Sequence, residues 1–313
     1  MALLTGLIRT SEVEIEKLEY SNPPRSYLGM SSLGEECSAK LWLTFHWCST
    51  QTYPAKVHRI FEIGHEFEQI IIGQLKEAGF EVYKVFDDKE IEMFGHKDEA
   101  QETFVGFAGH AKGHNDGRIR GLVESKEDHL LEIKTAKNSI FNKFVKYGCK
   151  KANPIYYAQV QRYMRSTGLR RALFVVLNKD TAHLHMERIE ADSSYQNDLI
   201  RKESMLIMAD EIPARAYEPG FYKCGWCNQK DVCRKNVNPI KTCRTCEFAD
   251  LEDGGVWKCS KDGSELSPQQ QWDACVKYKL EWGFEDVGSE SIKEEFDFGE
   301  DTSIDNSSEI GVI

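Results

Sequence analysis

The chain contains no run of about 18 uninterrupted apolar residues, so no transmembrane helix and no membrane partner are expected. Residues 1–10 lack a basic stretch followed by a long apolar core and a small-residue cleavage site, so no signal peptide is read and a cytoplasmic location is expected. No Gly-x-x-x-x-Gly-Lys-Ser/Thr loop occurs, which excludes a helicase motor of this chain's own. There is no internal repeat. Apolar residues make up 41% of the 313, enough for one good-sized catalytic domain with an appendage.

Positive charge is also scarce, with a net charge of −11. The deficit is local. Residues 281–313 carry −10, and the first 280 carry only −1. That tail is acidic, rich in Ser, Gly and Asp, and without amphipathic period, so it reads as disordered. Carboxylates on such a chain serve solubility or compete with a polyanion for a basic groove. The body keeps local basic clusters, such as Lys137, Lys143, Lys146, Lys150 and Lys151. These either meet phosphates or form a solvated helix face.

Periodicity orders the body. Helices are predicted over 31–48, with Leu41, Trp42, Phe45 and Trp47 on the apolar face, and over 57–78, with Ile60, Phe61, Phe67, Ile70 and Ile71. A strand is predicted over 80–86, and a meander of three over 103–111, 117–123 and 129–135. Helices follow at 137–147 and 155–166, strands at 171–177 and 183–189, and a helix at 193–208. After Pro213, cysteines, glycines and short polar turns take over.

Four polar signatures run through this frame in order. Gly64-His65 lies on the second helix. Asp116 lies in the glycine-flanked turn Gly113-His114-Asn115-Asp116-Gly117. Glu132-Ile133-Lys134 lies in a short apolar strand, and Gln159 with Tyr163 on a helix opened by Pro154. Residues two apart on a strand share a face, so Glu132 and Lys134 project together while Ile133 enters the core. Gln159 and Tyr163, four apart, share a helix face. A carboxylate able to hold a metal beside a cation able to position water is the basis of metal-assisted phosphodiester cleavage.

Over residues 30–235 these motifs resemble the RecB-like branch of the PD-(D/E)XK nuclease superfamily, in particular its four-cysteine CRISPR-associated and AddB-type nucleases and phage exonucleases. Asp116 departs from the pattern in not following a proline. The resemblance implies an α/β restriction-endonuclease-like core, a mixed sheet flanked by helices. It further implies Mg²⁺ or Mn²⁺ bound by Asp116, Glu132 and the Ile133 carbonyl, with His65 approaching from its helix. Otherwise His65 is a capping or core histidine. Glu68, one turn on, could also reach the site. In this scheme Lys134 orients and helps deprotonate the attacking water, and Gln159 orients that water or a phosphate. Tyr163 stacks or hydrogen-bonds nearby, or is simply a helix tyrosine.

The ten cysteines are Cys37, Cys48, Cys149, Cys224, Cys227, Cys233, Cys243, Cys246, Cys259 and Cys275. Seven fall within 224–275, which in a cytoplasmic chain argues for metal and against disulfides. Cys224-x2-Cys227-x5-Cys233 needs a fourth thiolate. The resemblance implies that Cys37 supplies it, with Cys48 as a substitute, around a 4Fe–4S cluster. Soft thiolates also suit zinc, and spacing leaves that choice open. Cys243-x2-Cys246-x12-Cys259-x15-Cys275 is close to a four-cysteine zinc ribbon. This segment has too few apolar residues to fold without such a staple. Cys149 reads as structural.

The expected layout is a nuclease domain with its cluster at 1–235, a zinc-binding module at 236–280 and the tail at 281–313. The expected activity is metal-dependent DNA exonuclease action on ends or single strands, in recombination, repair or phage DNA metabolism. A helicase, annealing or single-strand-binding protein is the class of partner that would supply unwound strands. The rivals are a catalytically silent DNA-binding protein on the same fold and a site-specific endonuclease.

Overall fold

The computed structural model describes residues 12–21, 23–86, 89–91, 102–235 and 237–280. The tail read at 281–313 lies outside the described residues.

A six-stranded mixed sheet forms the centre. Its strands are β4 (Glu81–Phe86), β5 (Lys89–Ile91), β8 (Gly117–Arg120), β9 (His129–Ala136), β10 (Arg171–Asn178) and β11 (Leu184–Glu190), in the order β11-β10-β9-β8-β4-β5. Only β9 and β10 run parallel, with Glu132 opposite Phe174 and Lys134 opposite Val176. Between them the chain crosses over through the helices α3 (Asn138–Tyr147), α4 (Cys149–Ala152) and α5 (Pro154–Thr167). A parallel pair requires such a crossover.

β9 carries the period-two pattern on both faces. Leu131 and Ile133 pack with Leu173, Val175 and Leu177 of β10 under Ile71, Ile72 and Leu75 of α2 (Ala55–Glu77). Leu130 and Ala136 face the larger core with Tyr156, Val160 and Tyr163 of α5, Phe144 of α3 and Trp42 of α1 (Ser38–Phe45). The charged pair of β9 thus lies on the α5 side of a three-layer sandwich. α5 starts where the sequence signals it. The Asn153 side chain accepts from the amides of Ile155 and Tyr156, and Pro154 takes the first turn.

Three expectations change. The strand expected over 103–111 is broken. β6 (Thr103–Val105) and β7 (Ala111–His114) flank a 3-10 turn at Phe107–Gly109, and Ala108 adopts φ 48°. These strands join β2 (Leu28–Gly29) in a separate three-stranded sheet, β2-β7-β6, so no simple meander reaches β8. The first helix is confined to Ser38–Phe45, because Met30–Ser32 forms its own 3-10 turn. On α2 the buried stripe is Phe61, Gly64, Ile71, Ile72 and Leu75, while Ile70 is 51% exposed. The stripe drifts round a helix of 23 residues. By contrast, α6 (Ser193–Met208) matches its expected bounds, capped by Asp192.

Residues 237–280 share the body's core. They carry the hairpin β12 (Ala249–Glu252) and β13 (Val256–Cys259) and the short helix α9 (Pro268–Asp273); α7 (Tyr222–Gly225) and α8 (Lys230–Arg234) precede them. Trp257 enters the main core, and Trp272 and Ile240 enclose Trp47. Arg244, 1% exposed, donates to the carbonyls of Phe45 and Ser26 and to Gln271 Oε1. Its guanidinium lies 3.9 Å from the Trp47 ring centre and 4.6 Å from that of Trp257.

A second buried cation ties α5 to α6. Arg162 donates twice to Glu203, at 2.7 and 3.0 Å, and Glu203 also accepts from the Phe107 amide. Arg162→Leu leaves that carboxylate buried without its counter-ion and should cost about 3–5 kcal/mol, measured by equilibrium denaturation. The double variant with Glu203→Leu should recover part of the loss. A cost below about 1 kcal/mol would show that the pair does not bear on stability.

Candidate active site

Strand β9, helix α5, the turn before β8 and helix α2 contribute the site's polar side chains. Glu132 is fully buried and Lys134 is 7% exposed, with Lys134 Nζ 2.6 Å from Glu132 Oε1. Gln159, on the facing helix α5, donates from Nε2 to the same Glu132 oxygen at 2.7 Å. Its Oε1 is buried without a hydrogen-bond partner among the described residues. Lys134 Nζ also stands 5.4 Å from the Tyr156 ring centre. Burial pulls the Lys134 ammonium down, yet the charges of Glu132 and Asp116 outweigh it and hold the group well above the ordinary lysine value. Glu132 and Asp116 thus favour the charged form of Lys134.

Asp116 sits in the turn between β7 and β8. Its Oδ2 accepts from the Ile133 amide at 2.6 Å, which joins the turn directly to β9. Gly117 follows at φ +140°, with Tyr83 O only 3.2 Å from where a Cβ would stand, so the turn accepts little but glycine there. The turn is braced on both sides. Asn115 and Arg118 donate to Glu102, and His114 meets Thr103 Oγ1 at 3.1 Å and the Tyr27 hydroxyl at 3.3 Å. Glu102, 4% exposed, escaped the sequence reading because its role appears only once β6 and β8 are brought together.

The helix α2 supplies Glu68. Burial first, then the charge of Asp116, pushes its carboxyl well above the ordinary glutamate range; Lys134 and Lys84 oppose this and Glu132 adds to it. Glu68 therefore shares one electrostatic site with Asp116, Glu132 and Lys134. His65, half-buried and three residues earlier, lies on the same helix face. Tyr163 is fully buried, its ring 5.4 Å from Phe104 and its hydroxyl 3.4 Å from Gln159 Nε2. A Cβ on Gly113 would come 2.5 Å from this ring. In that position Tyr163 packs and orients Gln159, and no face is left for a nucleic-acid base.

The first cysteine set gathers from three segments. Burial first, and in smaller measure the thiols of Cys233 and Cys37, push the Cys227 thiol up, so these three lie within each other's field. Arg215 Nε donates to Cys233 Sγ at 3.3 Å, and the Cys227 amide bonds the Cys224 carbonyl. Cys48 instead lies wholly in the hydrophobic core. In the second set, Cys259 pairs with Ala249 in the hairpin, Cys246 bridges Leu280, and Cys243 Sγ faces the Gln270 carbonyl at 3.5 Å. Cys275 is exposed. Cys149 is buried beside Glu187, which accepts from its amide.

Among the described residues, no three His, Cys, Asp or Glu side chains stand arranged to hold a metal ion as they are. At the carboxylate site the Lys134 ammonium takes Glu132 Oε1 and the Ile133 amide takes Asp116 Oδ2. The chemistry of the donors nevertheless suits a hard cation. Carboxylates crowd until one resists ionisation, and the buried Gln159 Oε1 waits for a donor. The thiol sets likewise suit a soft metal.

No protein-family model and no curated protein matches the chain. Among solved structures it is similar to an alkaline exonuclease (LHK-Exo) from Laribacter hongkongensis, with 20% identity and a TM-score of 0.39 over 58% of this chain and 87% of that one. LHK-Exo in complex with dAMP gives the same identity and TM-score over 58% and 86%. SSO0001 is similar at 13% identity and a TM-score of 0.36, over 75% and 96%.

The raised Glu68 carboxyl has a sign that can be tested. Its folded value exceeds its unfolded one, so it costs no stability below the ordinary range and progressively more as pH rises toward the folded value. With chelator present, Glu68→Gln should match wild type near about pH 4 and be the more stable protein at pH 8. A gain of about 1 kcal/mol would raise the melting temperature by about 2–4 °C. Equal melting curves across this range would show that Glu68 is not crowded by the other carboxylates.

Proposed function

We propose that this chain hydrolyses phosphodiester bonds of DNA with a divalent metal ion, as an exonuclease acting on ends or single strands. The observation that carries this is the Glu132–Lys134 pair, 2.6 Å apart on one strand face, beside Asp116 and under Gln159. Asp116, Glu132 and the Ile133 carbonyl would hold Mg²⁺ or Mn²⁺, with Glu68 and His65 of α2 as further donors. When bound, such an ion supplies an acidified water and polarises a phosphoryl oxygen.

The chain's own groups then have defined tasks. Lys134 orients the attacking water, helps deprotonate it, and stabilises charge in the transition state. Gln159 fixes the Glu132 carboxylate through Nε2 and presents Oε1 to a water or a second donor. Tyr163 holds Gln159 in that rotamer.

We assign a 4Fe–4S cluster to Cys37, Cys224, Cys227 and Cys233, and zinc to Cys243, Cys246, Cys259 and Cys275. The mutual field of Cys37, Cys227 and Cys233 supports the first set, and the spacing on a short hairpin the second. Anaerobically purified protein should then contain iron and zinc by elemental analysis. Cys37→Ala should lose iron and retain zinc, and Cys246→Ala the reverse. Iron unaffected by Cys37→Ala would remove Cys37 from the set.

The activity test uses end-labelled linear DNA and closed circular DNA with Mg²⁺ or Mn²⁺. Wild type should shorten linear DNA from an end, and Lys134→Ala and Glu132→Ala should each lower the rate by about 10²–10³ or more. Discrete fragments from the circle would make it an endonuclease. Binding without cleavage by metal-loaded protein would make it a DNA-binding protein.

A further inference from the structure

A cavity of about 270 Å³ lies outside the catalytic groups. The segment before β2, the helix α1 and the loop between Cys224 and Asn228 form its walls. Its lining combines aromatic rings of Tyr27, Phe45, Tyr53 and Trp226 with the cations of Arg25 and Lys40. The one carboxylate among the lining residues, Glu35, is bound by Lys40 at 2.6 Å.

Two connections tie the cavity to the catalytic groups. The Tyr27 hydroxyl meets His114 Nε2 at 3.3 Å, two residues before Asp116. Ile155, also in the lining, is one helical turn before Gln159 on α5.

Outside the mouth the surface is unusual for water-facing protein. Trp226 is 90% exposed, Tyr222 66% and Phe221 40%. Phe221 stacks on Tyr217 at 4.6 Å, and Lys230 lies in the same segment, where Lys223 is paired with Glu36 at 2.8 Å. Exposed aromatics in series among cations cost solvation and mark a binding surface. Rings that stack on bases and cations that follow phosphates are the composition of single-strand binding tracks. The cavity volume, just under the ~300 Å³ where small-ligand sites begin, leaves room for no more than one small group such as a nucleobase.

We infer that this cavity takes one nucleotide of single-stranded DNA, base inward among Tyr27, Tyr53 and Trp226, with the strand running on toward Glu132 and Lys134. The inference rests on the hydrolytic reading for its substrate and adds where the strand is gripped and that it is single. Trp226 caps the mouth, and Arg25 meets the nucleotide's phosphate.

Binding of a fluorescein-labelled thymidine oligonucleotide, measured by anisotropy in chelator, tests this without any cleavage. Trp226→Ala should weaken binding about tenfold, since one base–aromatic stack is lost, while duplex binding changes less than twofold. The variant is compared at equal iron content and melting temperature, and little unfolding is expected for a side chain so exposed. A 5-iodouracil oligonucleotide should photocrosslink within residues 23–29, 49–53 or 224–228. Unchanged single-strand affinity, or crosslinks wholly outside those segments, would overturn the site. The two readings fail separately. Trp226-dependent binding by a protein that never cleaves keeps the cavity and sinks the hydrolysis; cleavage unaffected in affinity by Trp226→Ala does the opposite.

Discussion

The centre of the molecule depends on burying a lysine and a glutamate together on β9. Either ion alone would lose several kcal/mol of hydration in that interior. At 2.6 Å they compensate each other, and Gln159 and the Tyr156 ring take part of what remains. The arrangement works only if β9 and α5 hold one register, because a shift of one residue along β9 would send the charged pair into the Ile71–Leu75 core. The same requirement that makes the pair expensive makes it rigid. A rigid first layer is what a hydrolytic site needs, since its groups must already stand where charge develops.

The periphery solves similar problems with different partners. Arg162 is met by a carboxylate, and the pair pins α6 and the Gly106–Phe107 turn to α5. Arg244 has carbonyls, an amide and three aromatic rings instead. Ring faces and carbonyl dipoles can hold a guanidinium that no carboxylate reaches. Because Arg244 lies between Cys243 and Cys246, it seats that turn on the Phe45 and Ser26 carbonyls, and Phe45 also lines the cavity.

Local signals were legible in the sequence where local physics decides. Alternation around Glu132 and Lys134, the Asn153-Pro154 start of α5 and the span of α6 all depend on residues close in the chain. The grouping of Asp116 with Glu132 also followed from its motif. What remained hidden was set at long range. Glu68 reads as able to reach the site, but its crowding against Asp116 shows only when α2 is laid against β9. Glu102 and His114 acquire roles only when β6 folds back. The break at Gly106–Gly109 was missed because apolar residues continue across it, and the 3-10 turn is held at long range by the Phe107 amide donating to Glu203. Tyr163 was recognised as a partner of Gln159, but its complete burial follows from Gly113 and Phe104, far away in sequence.

Charge balance gives the last constraint. Glu68, Asp116 and Glu132 stand near two cations, Lys134 and Lys84, in a site largely shielded from water. Burial first, then the Asp116 charge, lifts the Glu68 carboxyl against the pull of both lysines. Protonating Glu68 eases that crowding, and on the hydrolytic reading a divalent ion held by Asp116 and Glu132 would ease it as well. Lys134, beside both carboxylates, is then the cation placed to receive an arriving phosphate.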